Sequence, residues 1–208
     1  MKKNKPDILI EYNEILSEEL IIDEFNSIVK SGVNAELCKR ENGAWMALEW
    51  TIPTVIIAYV FKPYFETFLK EAGKEHYKIL SEKLKKIIGK GKKINTQLIT
   101  AEQSTEKLNK AYNQSSTVSV IVETRTGRFI KLLFDKKLDK SDWEDALDQL
   151  LEYVIENYEK PNENKIERLT AGFKEHINFK YYALINSDTK KIEFFDDKKL
   201  MEISYKDK

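Results

Sequence analysis

The chain has 208 residues, of which 41% are hydrophobic and 11% aromatic, enough to bury the core of one sizeable domain or of two small lobes. Lys and Arg together number 35, as do Asp and Glu, so the formal net charge is zero. A nucleic-acid-binding protein needs excess positive charge to displace counterions from phosphate. The balance therefore argues against nucleic acid as a partner.

Cysteine usage and the start of the chain indicate a compartment. Cys38 is the single cysteine, so neither an intrachain disulfide nor a thiolate metal cage can form. The first residues include lysines, but they lack the apolar core of a secretory signal. The abundance of Lys, Ile and Asn is typical of an A/T-rich bacterial genome. We expect a cytoplasmic bacterial protein.

The first part of the chain predicts the order β-α-β-β. Asp7–Tyr12 has the composition of a strand. Ser17 is suited to cap a helix whose apolar residues recur with helical spacing, and Gly32 is suited to end it. Two extended runs then flank Asn42-Gly43, a dipeptide favoured in hairpin turns. The second run of this predicted hairpin ends at Trp50.

The most apolar stretch follows, and it predicts a helix from Pro53 to Phe68. Pro53 suits the first turn of a helix, and Pro63 would kink or interrupt it. The charge-free part, Trp50–Phe61, is shorter than the roughly 20 residues of a spanning helix, so a buried helix is favoured over a membrane span. A partner- or membrane-contacting face is the other alternative, because this helix would be apolar nearly all round.

A second helix is predicted between Gly73 and the glycine pair Gly89 and Gly91. The residues that follow are polar and predict a linker or a short helix. These boundaries divide the chain into three parts. They are a β-α-β-β plus helical hairpin lobe over residues 1–93, a linker over 94–115 and a ββ-α-ββ lobe over 116–208.

The last part of the chain has clearer signals. One hairpin is predicted to turn near Thr126-Gly127 and another around Asn186–Thr189. Between them, Ser141–Glu144 has the pattern of a capping box that opens a helix reaching Tyr158. The fold class predicted from the whole chain is α+β. It has an N-terminal β-α-β-β unit plus two helices, then a ββ-α-ββ antiparallel unit.

Candidate catalytic groups are few. His76 and His176 are the histidines that could act as general bases. Glu123 lies two residues before Arg125, a fragment of metal-dependent nuclease motifs that also require a second carboxylate nearby. No nucleophile elbow, H-E-x-x-H pattern or phosphate-binding loop accompanies them. We therefore predict no catalytic residue, no metal site and no cofactor, and keep a small hydrolase or metal-dependent nuclease as the alternative.

The favoured hypothesis is a non-enzymatic interaction or regulatory protein of the adaptor, immunity or defence-accessory type. It would bind a protein partner, or a second copy of itself, through the apolar helix. A peripheral membrane protein that adds the basic run Lys83–Lys93 is a second alternative. The predicted binding residues are four from the apolar stretch and two arginines beside a hairpin turn, suited to hold an anionic group: Trp50, Ile57, Phe61, Tyr64, Arg125 and Arg128.

Overall fold

The computed structural model describes residues 5–41, 54–71, 73–94, 114–163, 165–173, 180–196 and 198–199. Seven strands of this part form one mixed sheet, and five α-helices accompany it. The α+β class is therefore confirmed. The strands are β1 (Ile8–Asn13), β2 (Ala35–Arg40), β3 (Ile56–Val60), β4 (Val118–Glu123), β5 (Phe129–Leu132), β6 (Lys180–Ile185) and β7 (Ile192–Phe195). The helices are α1 (Ile22–Lys30), α2 (Lys62–Glu71), α3 (Gly73–Lys93), α4 (Lys140–Glu159) and α5 (Lys165–Thr170).

The strand order across the sheet is β2-β1-β3-β4-β5-β6-β7. Three parallel pairs, β1–β2, β3–β4 and β5–β6, are each connected through helices. Antiparallel pairing of β1 with β3, β4 with β5 and β6 with β7 joins these units. The residues before and after the predicted linker thus share one sheet through β3 and β4. Most of that linker, and the second arm of the predicted hairpin around Asn42-Gly43, lie outside the described residues.

The crossovers differ in hand. When each parallel pair is viewed from the same face with its first strand pointing up, β2 lies on the same side of β1 as β4 lies of β3. In that view β6 lies on the opposite side of β5. Helices α1, α3 and α4 pack into one layer on one face. The third crossover therefore has the opposite hand. Since about 98% of such connections are right-handed, at least one of the three departs from the rule.

Alternate strand residues build the core beneath this helical layer. Ile10, Ala58 and Val120 are neighbours across three strands, and all three are buried. The helix α4 adds the buried residues Trp143 and Leu147 from above. The opposite face of the sheet is also largely buried in its middle, as at Ile121, Lys131 and Tyr182.

The predicted helix from Pro53 to Phe68 is wrong. Ile56–Val60 is a strand at the middle of the sheet, and α2 begins only at Lys62. Pro63 lies in the first turn of α2, where its missing N–H leaves no hydrogen bond unmade. The stretch is apolar because β3 is paired on both edges and four of its five residues are buried, Tyr59 being half-buried. Its β-branched residues fit that environment.

Two other predicted boundaries shift. α3 does not end at Gly89 but continues to Lys93, and Gly91 lies directly against the strand residue Val118. A Cβ added there would lie 2.8 Å from both Cβ and Cγ1 of Val118. The capping box occurs two residues earlier than predicted, with Asp139 as the N-cap and Asp142 as the reciprocal carboxylate.

Both predicted turns in the second half are confirmed. Gly127 adopts φ 82° in the β4–β5 turn, a conformation that a side chain would disfavour. In the β6–β7 turn, the side-chain oxygen of Asn186 accepts hydrogen bonds from the backbone N–H groups of Asp188 and Thr189, each at 2.9 Å. The end of α1 at Gly32, with φ 88°, is confirmed as well.

The two glycines in the last turns of α3 make a matched pair for a stability test. Gly91→Ala should destabilise the protein, because overpacking against the strand residue Val118 costs about 1–3 kcal/mol. That cost outweighs the gain of up to about 1 kcal/mol in helix propensity. At Gly89 the new Cβ meets only the flexible end of Lys140, so Gly89→Ala should be neutral or stabilising. Urea unfolding of both variants measures the difference, and equal effects would contradict the close approach.

Candidate functional site

The structure buries the apolar residues that the sequence predicts as a binding surface. Ile57, Phe61 and Tyr64 are 6%, 8% and 2% exposed. Phe61 stacks on Tyr59 with ring centroids 5.7 Å apart. Trp50 lies outside the described residues. Because these side chains support the sheet and α2, a surface for a partner has to be sought elsewhere.

The two predicted arginines flank the β4–β5 turn, as expected. The backbone N–H of Arg125 donates to the side-chain oxygen of the buried Asn157 at 3.0 Å, which ties the turn to α4. The Arg128 guanidinium lies 5.6 Å from the ring centroid of Tyr181. Arg125 is exposed and Arg128 half-buried. The backbone of Arg125 and the guanidinium of Arg128 thus help to hold the turn against α4 and β6.

Glu123 has a structural environment rather than the surroundings of a metal ligand. Its carboxylate accepts from Lys5 Nζ at 2.7 Å and from the backbone N–H of Lys62 at 2.9 Å. Its backbone carbonyl accepts from the hydroxyl of Tyr158 at 3.0 Å. The carboxylate therefore satisfies the N-terminus of α2 and joins the start of the chain to β4.

The other catalytic candidates cannot be placed beside Glu123. His76 is on α3, but its side chain is outside the described part of the chain, as is all of His176. Within the described residues, no group of three or more His, Cys, Asp or Glu side chains could hold a metal ion.

The basic run of α3 takes part in helix packing. Lys85 pairs with Asp148 of α4, and Lys90 pairs with Glu24 of α1. Lys92 donates to the backbone oxygen of Leu138, and its ammonium lies 4.2 Å from the centroid of the Trp143 ring. Three of the lysines that the sequence offered for a membrane surface thus connect α3 to its neighbours.

A shallow groove of about 500 Å³, open to solvent, lies between β2 and the segment formed by α1 and the short 3₁₀ turn Glu18–Leu20. Ile22, Phe25 and Leu37 supply its apolar lining. At its rim the hydroxyl of Tyr12 donates to the carboxylate of Glu18 at 2.8 Å. Burial and the Glu18 charge raise the pKa of Tyr12, so this hydroxyl stays a donor at neutral pH.

The groove adjoins an edge strand. β2 is the outermost strand of the sheet on this side. The backbone oxygen of Asn34 accepts from Ile8, and that of Arg40 accepts from Glu14, so the even-numbered residues between them direct their backbone groups to β1. Since these groups alternate along a strand, residues 35, 37 and 39 present N–H and C=O outward. No other strand in the described ranges pairs with that edge.

Sequence reasoning found β2 but not its position at the edge. The signal that could have indicated the edge is its charge, since Glu36, Lys39 and Arg40 lie within a six-residue strand. Charged residues on a short strand are typical of edges, where they discourage unwanted pairing.

Comparison of the chain with protein-family models, curated proteins and solved structures found no match. Among the helices of the described residues, none has both the length and the apolar character needed to cross a membrane.

One buried acid near β3, Asp7, has a raised pKa. The carboxylate of Asp7 accepts from the backbone N–H of Asn34 at 3.1 Å, and its backbone oxygen accepts from Phe61 at 2.9 Å. Burial raises the pKa of Asp7, an effect that the hydrogen bond from Asn34 opposes only in part. The folded state therefore binds a proton at Asp7 more readily than the unfolded state does.

Removal of the Glu123 carboxylate should lower stability even though no ligand is involved. Glu123→Ala leaves the α2 N-terminus without its acceptor, and loss of such a cap costs about 0.5–2 kcal/mol. Lys5→Met removes the half-exposed ion-pair partner and should cost at most about 1 kcal/mol. Denaturant unfolding ranks the two variants. An Ala variant as stable as the parent chain would show that Glu123 is not a structural cap.

Asp7→Asn tests the buried acid through its pH dependence. The raised pKa means that Asp7 favours folding most below the unfolded value of 3.8 and loses that contribution as pH rises through the folded value. Asn keeps an acceptor for Asn34 and carries no charge. At pH 7 the variant should therefore be more stable than the parent, and the difference should shrink toward pH 4. Thermal unfolding across this range measures it, and a difference independent of pH would contradict the assignment.

Proposed function

We propose that the chain is a non-enzymatic interaction protein that binds a protein partner along the outer edge of β2 and in the groove beside it. The observation that carries the proposal is the combination of an edge strand, among the described residues, and an adjoining open groove lined by both apolar and charged side chains. Outward backbone groups of an edge strand are a template for an added strand, and a neighbouring pocket provides selectivity.

This surface replaces the one expected from the sequence. Ile57, Phe61 and Tyr64 are enclosed by the chain's own sheet and helices. By contrast, Glu36, Cys38 and Lys39 of β2 are exposed. The protein partner of the original hypothesis is retained, and the contact moves from the supposed apolar helix to the edge of the sheet.

The contacts of Glu123 also argue against its use as a metal ligand. The Glu123 carboxylate is occupied by Lys5 and by the N-terminus of α2, so use as a metal ligand would disrupt both. The contacts of the basic run also argue against the membrane alternative. Lys85, Lys90 and Lys92 would have to leave their contacts with α4, α1 and the loop before α4 to reach a lipid surface.

Cys38 offers a direct test, because the single thiol of the chain is exposed on β2. A photoactivated crosslinker is attached to Cys38, and the labelled protein is irradiated in an extract of the cells that produce it. We expect one discrete adduct. Lys39→Pro removes an N–H that faces outward, so the pairing of β2 with β1 is kept while an added strand loses a hydrogen bond. The substitution should therefore abolish that adduct.

The control carries the crosslinker on the opposite edge, in a Cys38→Ser, Glu193→Cys variant, since Glu193 is exposed on β7. The same adduct at both positions, an adduct that persists in Lys39→Pro, or no adduct at all would each refute the proposed function.

A further inference from the structure

We infer that Phe61, Phe129 and Glu123 form a binding site for a primary alkylammonium group, which Lys5 of the same chain occupies as a displaceable internal ligand. The external ligand is either a lysine side chain of another protein or a free amine. The inference is independent of the proposed function of the β2 edge. It follows from the groups around the Lys5 ammonium, from the way these groups are held, and from how little else holds Lys5.

The ammonium of Lys5 lies between two aromatic rings and a carboxylate. Its Nζ is 4.2 Å from the ring centroid of Phe61 and 5.4 Å from that of Phe129. The two rings are at 86° to each other, so they form two walls. The Nζ also donates to a carboxylate oxygen of Glu123 at 2.7 Å. Ring faces attract a cation and a carboxylate accepts its N–H, which is the combination that recognises an alkylammonium ion.

Three neighbouring strands bring these side chains together. Glu123 of β4 is directly opposite Phe129 of β5. Phe61 follows Val60, the last residue of β3, and Val60 is opposite Val122, so Phe61 is level with Glu123 on its other side. Residues opposite each other on adjacent strands have their side chains on the same face. The three residues therefore stand in one row across the sheet, and we call them the ammonium site.

Contacts that do not involve Lys5 hold the ammonium site in place. The carboxylate of Glu123 accepts from the backbone N–H of Lys62 at 2.9 Å. The Phe61 ring stacks on Tyr59, with centroids 5.7 Å apart. Phe129 belongs to a strand that pairs on both edges. The site is thus preformed, and a preformed site spends little binding free energy on ordering its own groups.

Lys5 itself is held by few contacts. Its side chain is 45% exposed, so solvent reaches the ammonium site along it. Neither Lys5 nor Pro6 makes a backbone hydrogen bond to another described residue, and the backbone is first tied at Asp7, whose N–H donates to Asn34. Exposed ion pairs contribute little stability, and chain ends are loosely held unless they are tied down. An external ammonium can therefore replace the Lys5 ammonium without disturbing the sheet.

The internal ligand also defines the chemistry of the external one. An N–H of the Lys5 ammonium is used in the bond to Glu123, so a quaternary ammonium would lose that bond and a neutral group would lose the charge as well. Occupation by Lys5 lowers the apparent affinity for an external ligand by the fraction of molecules in which the site is vacant. Removal of Lys5 should accordingly reveal the site.

The test titrates small probes into the full chain and follows the amide NMR signals of Lys62 and Phe129. Lys2 and Lys3 are replaced by serine throughout, so that they cannot take the place of Lys5. The probe is n-butylammonium, with butyltrimethylammonium and 1-butanol as matched compounds. We expect Lys5→Ala to bind n-butylammonium about tenfold more tightly than the parent chain, and both matched compounds to bind Lys5→Ala more weakly, 1-butanol by at least about tenfold.

Further substitutions in the Lys5→Ala protein locate the site. Glu123→Gln keeps an oxygen acceptor for the N–H of Lys62 but removes the charge, so it should weaken n-butylammonium binding by about tenfold or more without loss of the fold. Phe129→Leu removes one wall and should weaken binding several-fold. The control is Tyr153→Leu, which removes the ring that lies 4.5 Å from Lys165 on the helical layer and should leave binding unchanged.

Several results would overturn the inference. They are equal binding by the parent chain and Lys5→Ala, equal binding of n-butylammonium and 1-butanol, binding that Glu123→Gln does not weaken, and no binding to Lys5→Ala. A lysine blocked at both ends as an amide separates the two sources of ligand. Tighter binding of blocked lysine than of n-butylammonium supports the site and assigns it to a lysine of another protein, and the reverse order supports the site and assigns it to a free amine.

The outcomes are separable from those at the β2 edge. The crosslinking experiment reads an adduct at Cys38, and the titration reads the amides of Lys62 and Phe129. Failure of the titration would reject the ammonium site and leave the β2 surface standing, and failure of the crosslinking experiment would do the reverse.

Discussion

The parallel pairing of β3 with β4 is the constraint on which the rest of the structure depends. It joins strands that are far apart in the sequence, with Ile56 opposite Val118 and Val60 opposite Val122. It also places the most apolar segment of the chain in the interior of the sheet, where both of its edges are paired and Ile56, Ala58 and Val60 are fully buried. Burial of these side chains is the main favourable contribution to folding.

The helical layer follows from this pairing. The connection from β3 to β4 must cross over the sheet, and α3 does so with Gly91 directly against Val118. Within the helical layer, lysines of α3 pair with acids on both neighbouring helices, Glu24 of α1 and Asp148 of α4. A sequence feature that resembles a basic surface is thereby used to hold three helices together.

The same arrangement determines which surfaces are left for function. The central strands are enclosed, so their apolar residues serve the core. The chain then places β2, rather than one of the apolar strands, at the edge. An edge made of short, charged β2 resists indiscriminate pairing, and the groove beside Phe25 and Leu37 is the place where we propose that a partner is selected.

Local patterns in the sequence determined the elements whose causes are local. The turns at Gly127 and Asn186, the end of α1 at Gly32 and the apolar side of α4 follow from backbone conformation, side-chain hydrogen bonds and helical spacing within a few residues. Only the tertiary structure decided whether the stretch after Pro53 is a helix or a strand. An apolar run covered on all sides has the same composition in either form, and pairing with β1 and β4 selects the strand. Likewise, only the tertiary structure placed β2 at the edge and gave Glu123 to the N-terminus of α2, because both depend on contacts between residues distant in the sequence.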